Sequence, residues 1–187
     1  VKKSIFGVNY YLMVTKDKIL LHVCCAPCAT TCVERLLASD RHVTLYFSNS
    51  NINTEEEFEK RLSYVKKLAD VFDVGLEVDP YRHEEWLGHI KGLESEREKG
   101  ARCVKCFDWS LERTAIQAEK LGIDNFATTL TVSPHKTSWV IFEVGNRYPG
   151  FESWDFKKQD GFKRSIELSD KLDLYRQNYC GCEFSIR

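Results

Sequence analysis

The sequence predicts an α/β fold, a Rossmann-like, mainly parallel sheet flanked by helices, with a C-terminal helical and loop extension covering a metal site. Three observations carry this. Short β-branched or aromatic runs alternate with longer helical stretches, which is the pattern of parallel strands joined by crossover helices. The first apolar run leads directly into a segment opened by proline, a residue tolerated only in a helix's first turn. The chain, 187 residues with 43% hydrophobic and 12% aromatic side chains, is long and apolar enough to build one core.

Residues 19–24 (Ile-Leu-Leu-His-Val-Cys) read as a buried strand, and residues 26–37 as a helix opening at Pro27. Residues 42–48 are β-branched and aromatic, a second strand. Thr54-Glu-Glu-Glu57 is a capping box for a helix reaching Phe72. Residues 75–78 form a third strand, followed by helical stretches over 83–93 and 104–121, the second stopped by Gly122. Residues 124–130 give a fourth strand, and Ser133-Pro134 an N-cap and first-turn proline for a helix through Val144. After Tyr148-Pro-Gly150 the pattern loosens, with one more helix over 161–172 and a short tail. The expectation is a single domain over 1–187, a core over 1–150 and an extension over 151–187 carrying Cys180-Gly-Cys182. Parallel sheets of this kind bind ligands beyond the carboxyl ends of their strands, which is where Cys24 and Cys25 fall.

Composition excludes several classes. The longest apolar runs, such as 19–23 and 139–142, fall far short of the roughly 20 residues a membrane-spanning helix needs. Two early lysines are not followed by an apolar core and a small-residue cleavage site, so no secretory signal is read and a reducing, cytoplasmic location is expected. Eight cysteines in 187 residues is about 4%, below the roughly 8–10% of a disulfide scaffold. A net charge of −1, from 27 basic and 28 acidic residues, excludes a uniformly polycationic nucleic-acid binder while leaving room for a local basic patch.

The cysteines fall in three groups: Cys24, Cys25, Cys28 and Cys32; Cys103 and Cys106; Cys180 and Cys182. Adjacent Cys24 and Cys25 make a poor disulfide, and at a helix start the dipole and free amides favour anionic sulfur. Cys103-x2-Cys106 is a chelating pair, so the two pairs offer four thiolates, the ligand count of a [4Fe–4S] cluster or of a structural zinc. The order C-x2-C-x3-C over 25–32 is the reverse of the radical S-adenosylmethionine arrangement. Cys25-Ala-Pro-Cys28 also fits a thioredoxin-type motif, which leaves Cys24, Cys103 and Cys106 without a task. Two rival readings therefore stand at this point, a thiol–disulfide oxidoreductase using Cys25 and Cys28, and a zinc-stabilised RNA-binding module.

With these residues in view, the chain resembles the cobalamin-independent epoxyqueuosine reductases of the QueH type. The likeness runs from Leu20 to Ser185 and rests on five ordered motifs: His22-Val-Cys-Cys-Ala-Pro-Cys28, Arg102-Cys-Val-Lys-Cys-Phe107, Thr128-Thr-Leu-Thr-Val-Ser-Pro-His-Lys136, Phe156-Lys-Lys158 and Tyr175-Arg-Gln-Asn-Tyr-Cys-Gly-Cys182. Phe47-Ser-Asn-Ser-Asn-Ile52 departs from the family's proline-containing segment after the second strand. The resemblance implies two-electron deoxygenation of epoxyqueuosine to queuosine at the tRNA wobble position, with an unidentified electron donor. It also implies a [4Fe–4S] cluster on Cys24, Cys25, Cys103 and Cys106, and a redox-active pair, Cys180 with Cys182. An additional mononuclear metal ion is conceivable, with Cys28, Cys32 and Asp108 as its natural ligands.

Other residues carry two readings each. Cys32 lies one turn beyond Cys28 and suits the core equally well. His22 is either a satisfied core histidine or a hydrogen-bond donor behind a metal ligand. His135 and Lys136, at a helix start beyond a strand, suit an anion, and Lys157, Lys158 and Arg176 suit phosphates of a tRNA. A simple helix cap at Ser133 is the alternative for the first two, and solvated surface for the other three.

Overall fold

Alternation along the first apolar run sets the layers of the protein. In the computed structural model, which describes residues 17–186, Ile19, Leu21 and Val23 point into one core and Leu20 into another. These residues lie on and just beyond β1 (Lys18–His22), which pairs in parallel with β2 (His42–Phe47) on one side and β4 (Asn125–Thr128) on the other. β3 (Gly75–Val78) pairs in parallel with β2, giving the order β3-β2-β1-β4. The first core packs the sheet against α1 (Ala26–Ala38) and α2 (Glu55–Phe72). The second packs it against α4 (Ala101–Leu121) and α5 (Ser138–Gly145). A Rossmann-like parallel sheet with helices on both faces is thus observed. No helix among the described residues is long and apolar enough to cross a membrane.

The order reverses direction at β1, whose two neighbours are β2 and β4, and at such a switch point loops diverge to opposite faces and leave a crevice. The crevice lies above Cys24 and Cys25. Its far wall comes from the segment after β2, whose polar residues Ser48, Asn49 and Ser50 are buried and internally bonded. Asn49 donates its side-chain amide to the Val23 carbonyl (2.8 Å), and Ser48 donates its hydroxyl to Asp79 (2.8 Å).

Helix limits follow local chemistry. The Thr54 side chain accepts the Glu57 N–H at 3.1 Å, as the capping box predicts, and Gly122 ends α4 in a left-handed conformation. Several boundaries differ from the sequence reading. The fourth strand stops at Thr128, because Thr128 Oγ1 takes the Leu130 N–H (3.2 Å) and a 3₁₀ turn over Thr129–Val132 follows. The helix expected from Ser133 begins at Ser138, because Ser133 closes a turn, its hydroxyl accepting from His135 N–H (3.2 Å) and its carbonyl from Lys136 N–H (3.3 Å). The helix expected from Val104 begins at Ala101 with Gly100 as N-cap, so Cys103 and Cys106 both sit in its opening turns. The stretch expected over 83–93 is shorter, α3 (His83–His89), followed by turns up to Gly100.

Beyond Gly150 the chain first adds a parallel bridge, Phe151 to Phe126, at the β4 edge. It then crosses to the α1 face, where Arg35 donates to the carbonyls of Phe156, Lys158 and Gln159 and α6 (Gly161–Lys171) packs on α1. The remaining tail returns over the cysteines.

Candidate metal centre and cleft

Cys25 is the N-cap of α1, and Pro27 and Cys28 occupy its first turn. An N-cap residue and one three positions later face the same free amides, so their side chains converge. Cys24, held by its own N–H to Thr129 Oγ1 (3.1 Å), brings a third sulfur alongside. The Sγ atoms of Cys24, Cys25 and Cys28 all lie within 4.8 Å of one another, with Cys24 and Cys25 4.0 Å apart. Thr129 also donates its hydroxyl to Cys24 Sγ (3.3 Å). All eight cysteines are free thiols.

Negative charge concentrates on Cys25. The Cys24 and Cys28 thiols donate to it, so its pKa falls well below the usual thiol range, while the contact with Cys25 pushes Cys24 up to about 12 and Cys28 well above the ordinary thiol value. A helix N-terminus adds to this preference for anionic sulfur.

A second sulfur group faces it. Cys103, Cys106, Cys180 and Cys182 line a cleft of about 690 Å³ together with Trp86, Asn51 and Lys136. Burial pushes the Cys103, Cys106 and Cys182 thiols upward, so a bare site keeps them neutral. Lys136 connects the two groups. Burial alone would lower its pKa, but negative charge on the sulfurs of Cys180, Cys24, Cys28 and Cys25 drives it above the ordinary lysine value.

The tail that carries Cys180 and Cys182 is anchored by its main chain. Arg61, buried and paired with Glu57 (2.7 Å), donates to the Cys180 carbonyl (3.0 Å), and Asn53 N–H donates to the Gly181 carbonyl (3.1 Å). His83 bonds Glu183 (3.2 Å), and Arg102 reaches the Phe184 carbonyl (3.5 Å) while its guanidinium lies over the Phe184 ring. Gly181 has φ +151, a conformation open to glycine and strained for any other residue.

The donor set decides what the centre suits. Among the described residues, the one group of three or more metal-ligating side chains close enough to share an ion is the cysteine triad, with no carboxylate or imidazole in it. All-sulfur sites select iron–sulfur clusters, zinc or copper(I) over hard cations such as magnesium and calcium. The residues therefore fit a thiolate-bound metal centre.

Residues 19–187 match the family model described as epoxyqueuosine reductase QueH. This chain belongs to that family. A protein of that name from Streptococcus pyogenes serotype M1 is 40% identical over 184 residues, covering 92% of this chain and 71% of the relative. One from Acinetobacter baylyi is 36% identical over 177 residues, 91% of this chain and 81% of the relative. One from Thermotoga maritima is 36% identical over 176 residues, 90% of each. The family is one of oxidoreductases.

The structure distributes the remaining sequence candidates as follows. Cys32 is fully buried in the first core, with its thiol directed to the Cys28 carbonyl (3.2 Å). His22 is buried, its Nε2 meeting the Ser48 carbonyl (3.3 Å) and its Nδ1 the Thr128 hydroxyl (2.9 Å), which is the bonding of a neutral imidazole. Burial depresses its pKa to about 4, and with both nitrogens engaged it joins β1 to the ends of β2 and β4. Asp108 accepts from the Tyr148 hydroxyl (2.9 Å) and pairs with Arg147 (3.6 Å), on a face of α4 turned from the cysteines two and five positions earlier. His135 is exposed at the cleft's rim, beside Lys136. Lys157 donates its ammonium to the Lys136 carbonyl and so braces the Lys136 turn, while Lys158 and Arg176 are exposed.

Trp86, Asn51, Thr129 and Val140 were not singled out from the sequence, yet three of them line the cleft and Thr129 bonds Cys24. Thr129 stands within a motif that carried the family likeness. Nothing local marks the other three, which reach the cleft through the packing of separate elements.

Proposed function

We propose that this chain reduces epoxyqueuosine at the wobble position of tRNA to queuosine, in the cytoplasm, acting as one unit whose 151–187 segment closes over the site. The observation that carries the reading is the meeting of two thiol groups and one lysine at the switch point of the sheet, in a chain of this family. The reaction breaks both C–O bonds of the epoxide, leaves a C=C bond and releases the oxygen as water, consuming two electrons and two protons.

Cys24, Cys25, Cys103 and Cys106 are the ligands we assign to a [4Fe–4S] cluster, with Cys28, beside the first two, free to hold an additional metal ion. When bound, the cluster supplies single-electron transfer and an oxygen-seeking Lewis acid beside the substrate. The chain's own groups do the rest. Lys136, a cation among sulfurs, holds the departing oxygen and stabilises its negative charge, which a half-buried ammonium does better than one in water. Cys180 and Cys182 provide the electron pair, their two thiols becoming a disulfide as two electrons and two protons pass to the substrate. An external reductant then restores them. His135 at the rim and the exposed Lys158 and Arg176 suit phosphates of the tRNA.

Low thiol pKa at a helix start also serves thiol–disulfide oxidoreductases, so Cys25 with Cys28 supports a second reading. The test that separates them uses pre-reduced protein freed of excess reductant. The proposal expects queuosine formed from the protein's own electrons, lost in Cys180→Ser and Cys182→Ser variants that keep wild-type iron content. Undiminished yield in both variants would refute the pair's role, and disulfide reductase activity without iron would favour the second reading.

A further inference from the structure

The C-x2-C pair at the start of α4 sits among donors. Lys99 adopts φ +72, a left-handed conformation unusual for a lysine, and the result is that its main-chain N–H points at Cys103 Sγ (3.2 Å). Its counterpart lies across the cleft. Trp86, on α3, is completely buried and packs with Cys106 and Cys182, yet its Nε1–H has no hydrogen-bond partner. A buried indole N–H without a partner is costly, and buried tryptophans ordinarily find one.

We infer that Trp86 is a positioning residue whose indole N–H is directed to Sγ of Cys106, so that each sulfur of the C-x2-C pair receives one N–H, from Lys99 and from Trp86. A hydrogen bond to a ligating thiolate withdraws negative charge from it and makes the centre easier to reduce. That consequence rests on the reading of Cys103 and Cys106 as cluster ligands.

Two measurements separate the inference from that reading. In the reconstituted protein, Trp86→Phe is expected to keep wild-type iron and sulfide while its midpoint potential moves to a more negative value. Trp154→Phe, which removes an indole bonded to Glu152 (2.7 Å), should leave the potential unchanged. Should the phenylalanine variant fold poorly, benzothienylalanine at position 86 keeps the bicyclic ring and removes only the N–H. An unchanged potential in a fully loaded variant at position 86 overturns the inference. If the protein takes up no iron and sulfide, the cluster reading fails, and the ¹⁵N-labelled indole resonances of the four tryptophans decide the hydrogen bond. Cys106→Ala should move the Trp86 indole proton upfield, and an unmoved resonance would show that the sulfur is not its acceptor.

Discussion

Replacing Gly181 with alanine should detach the redox tail while leaving the rest of the protein folded. At φ +151 a residue with a Cβ carries strain of about 1–3 kcal/mol. The new methyl would also stand 2.9 Å from Asn51 Nδ2, a contact relieved cheaply because it is the end of a side chain, and 3.4 Å from Arg61 and Ile52 atoms. Backbone strain therefore dominates, and about 2 kcal/mol corresponds to roughly a 30-fold shift toward the detached tail. Hydrogen exchange followed by mass spectrometry reads this directly. The amides of 181–186, including Gly181 N–H on Ser185 Oγ (3.4 Å) and Ser185 N–H on the Cys182 carbonyl (3.0 Å), should exchange about 30-fold faster. Turnover should fall with them while iron content stays at the wild-type level. Exchange within about threefold of wild type would refute the argument that glycine is required there.

Further outcomes follow from other contacts. Cys32→Ala should cost about 1–2 kcal/mol in denaturant unfolding, the loss of one buried sulfur, and leave iron binding and turnover intact, whereas Cys24→Ala and Cys106→Ala should each lower iron content. Lys136→Met should retain iron but lose about 10²–10³ in turnover, with Lys136→Arg recovering part, measured on epoxyqueuosine-containing tRNA. Asp79 is buried, which alone would raise its pKa, but Arg113 and Ser48 hold it below the ordinary carboxylate value. Its contribution to stability is therefore complete above about pH 4 and is lost as pH falls through the lower folded value. Urea midpoints should show wild type more stable than Asp79→Asn at pH 7, with the gap closing toward pH 3.

Much of the architecture was legible because it rests on local signals. The apolar run over 19–23, the capping box at Thr54 and the glycine stop at 122 each work within a few residues, and the elements they announce appear where expected. Two of the misplaced boundaries share one cause, competition from polar side-chain contacts. Ser133 and Pro134 read as a helix start, but that turn instead delivers Lys136 to the sulfurs, and the helix waits until Ser138. Similarly, Thr128 bonds both His22 and the Leu130 N–H, which ends β4 early.

The cysteine spacing pointed to a soft-metal site but not to its partition. Cys28 joins Cys24 and Cys25 because a helix N-cap and the position three later converge, whereas Cys32, one turn further, falls into the core. Asp108 looked available beside Cys106 in sequence, yet two positions on a helix turn a side chain by about 200°, and Tyr148 and Arg147 engage it. Trp86 and Asn51 come from segments 35 residues apart, and parallel topology alone brings them to one cleft.

The most direct test of the central claim is queuosine formation measured by nucleoside mass spectrometry. Anaerobically reconstituted protein, with its iron and sulfide quantified, would be supplied with dithionite and tRNA carrying epoxyqueuosine. About four irons per chain with epoxyqueuosine converted to queuosine, and no conversion by Cys24→Ala protein, is the predicted result. Conversion by protein free of iron and sulfide, or none by fully loaded protein, would contradict it.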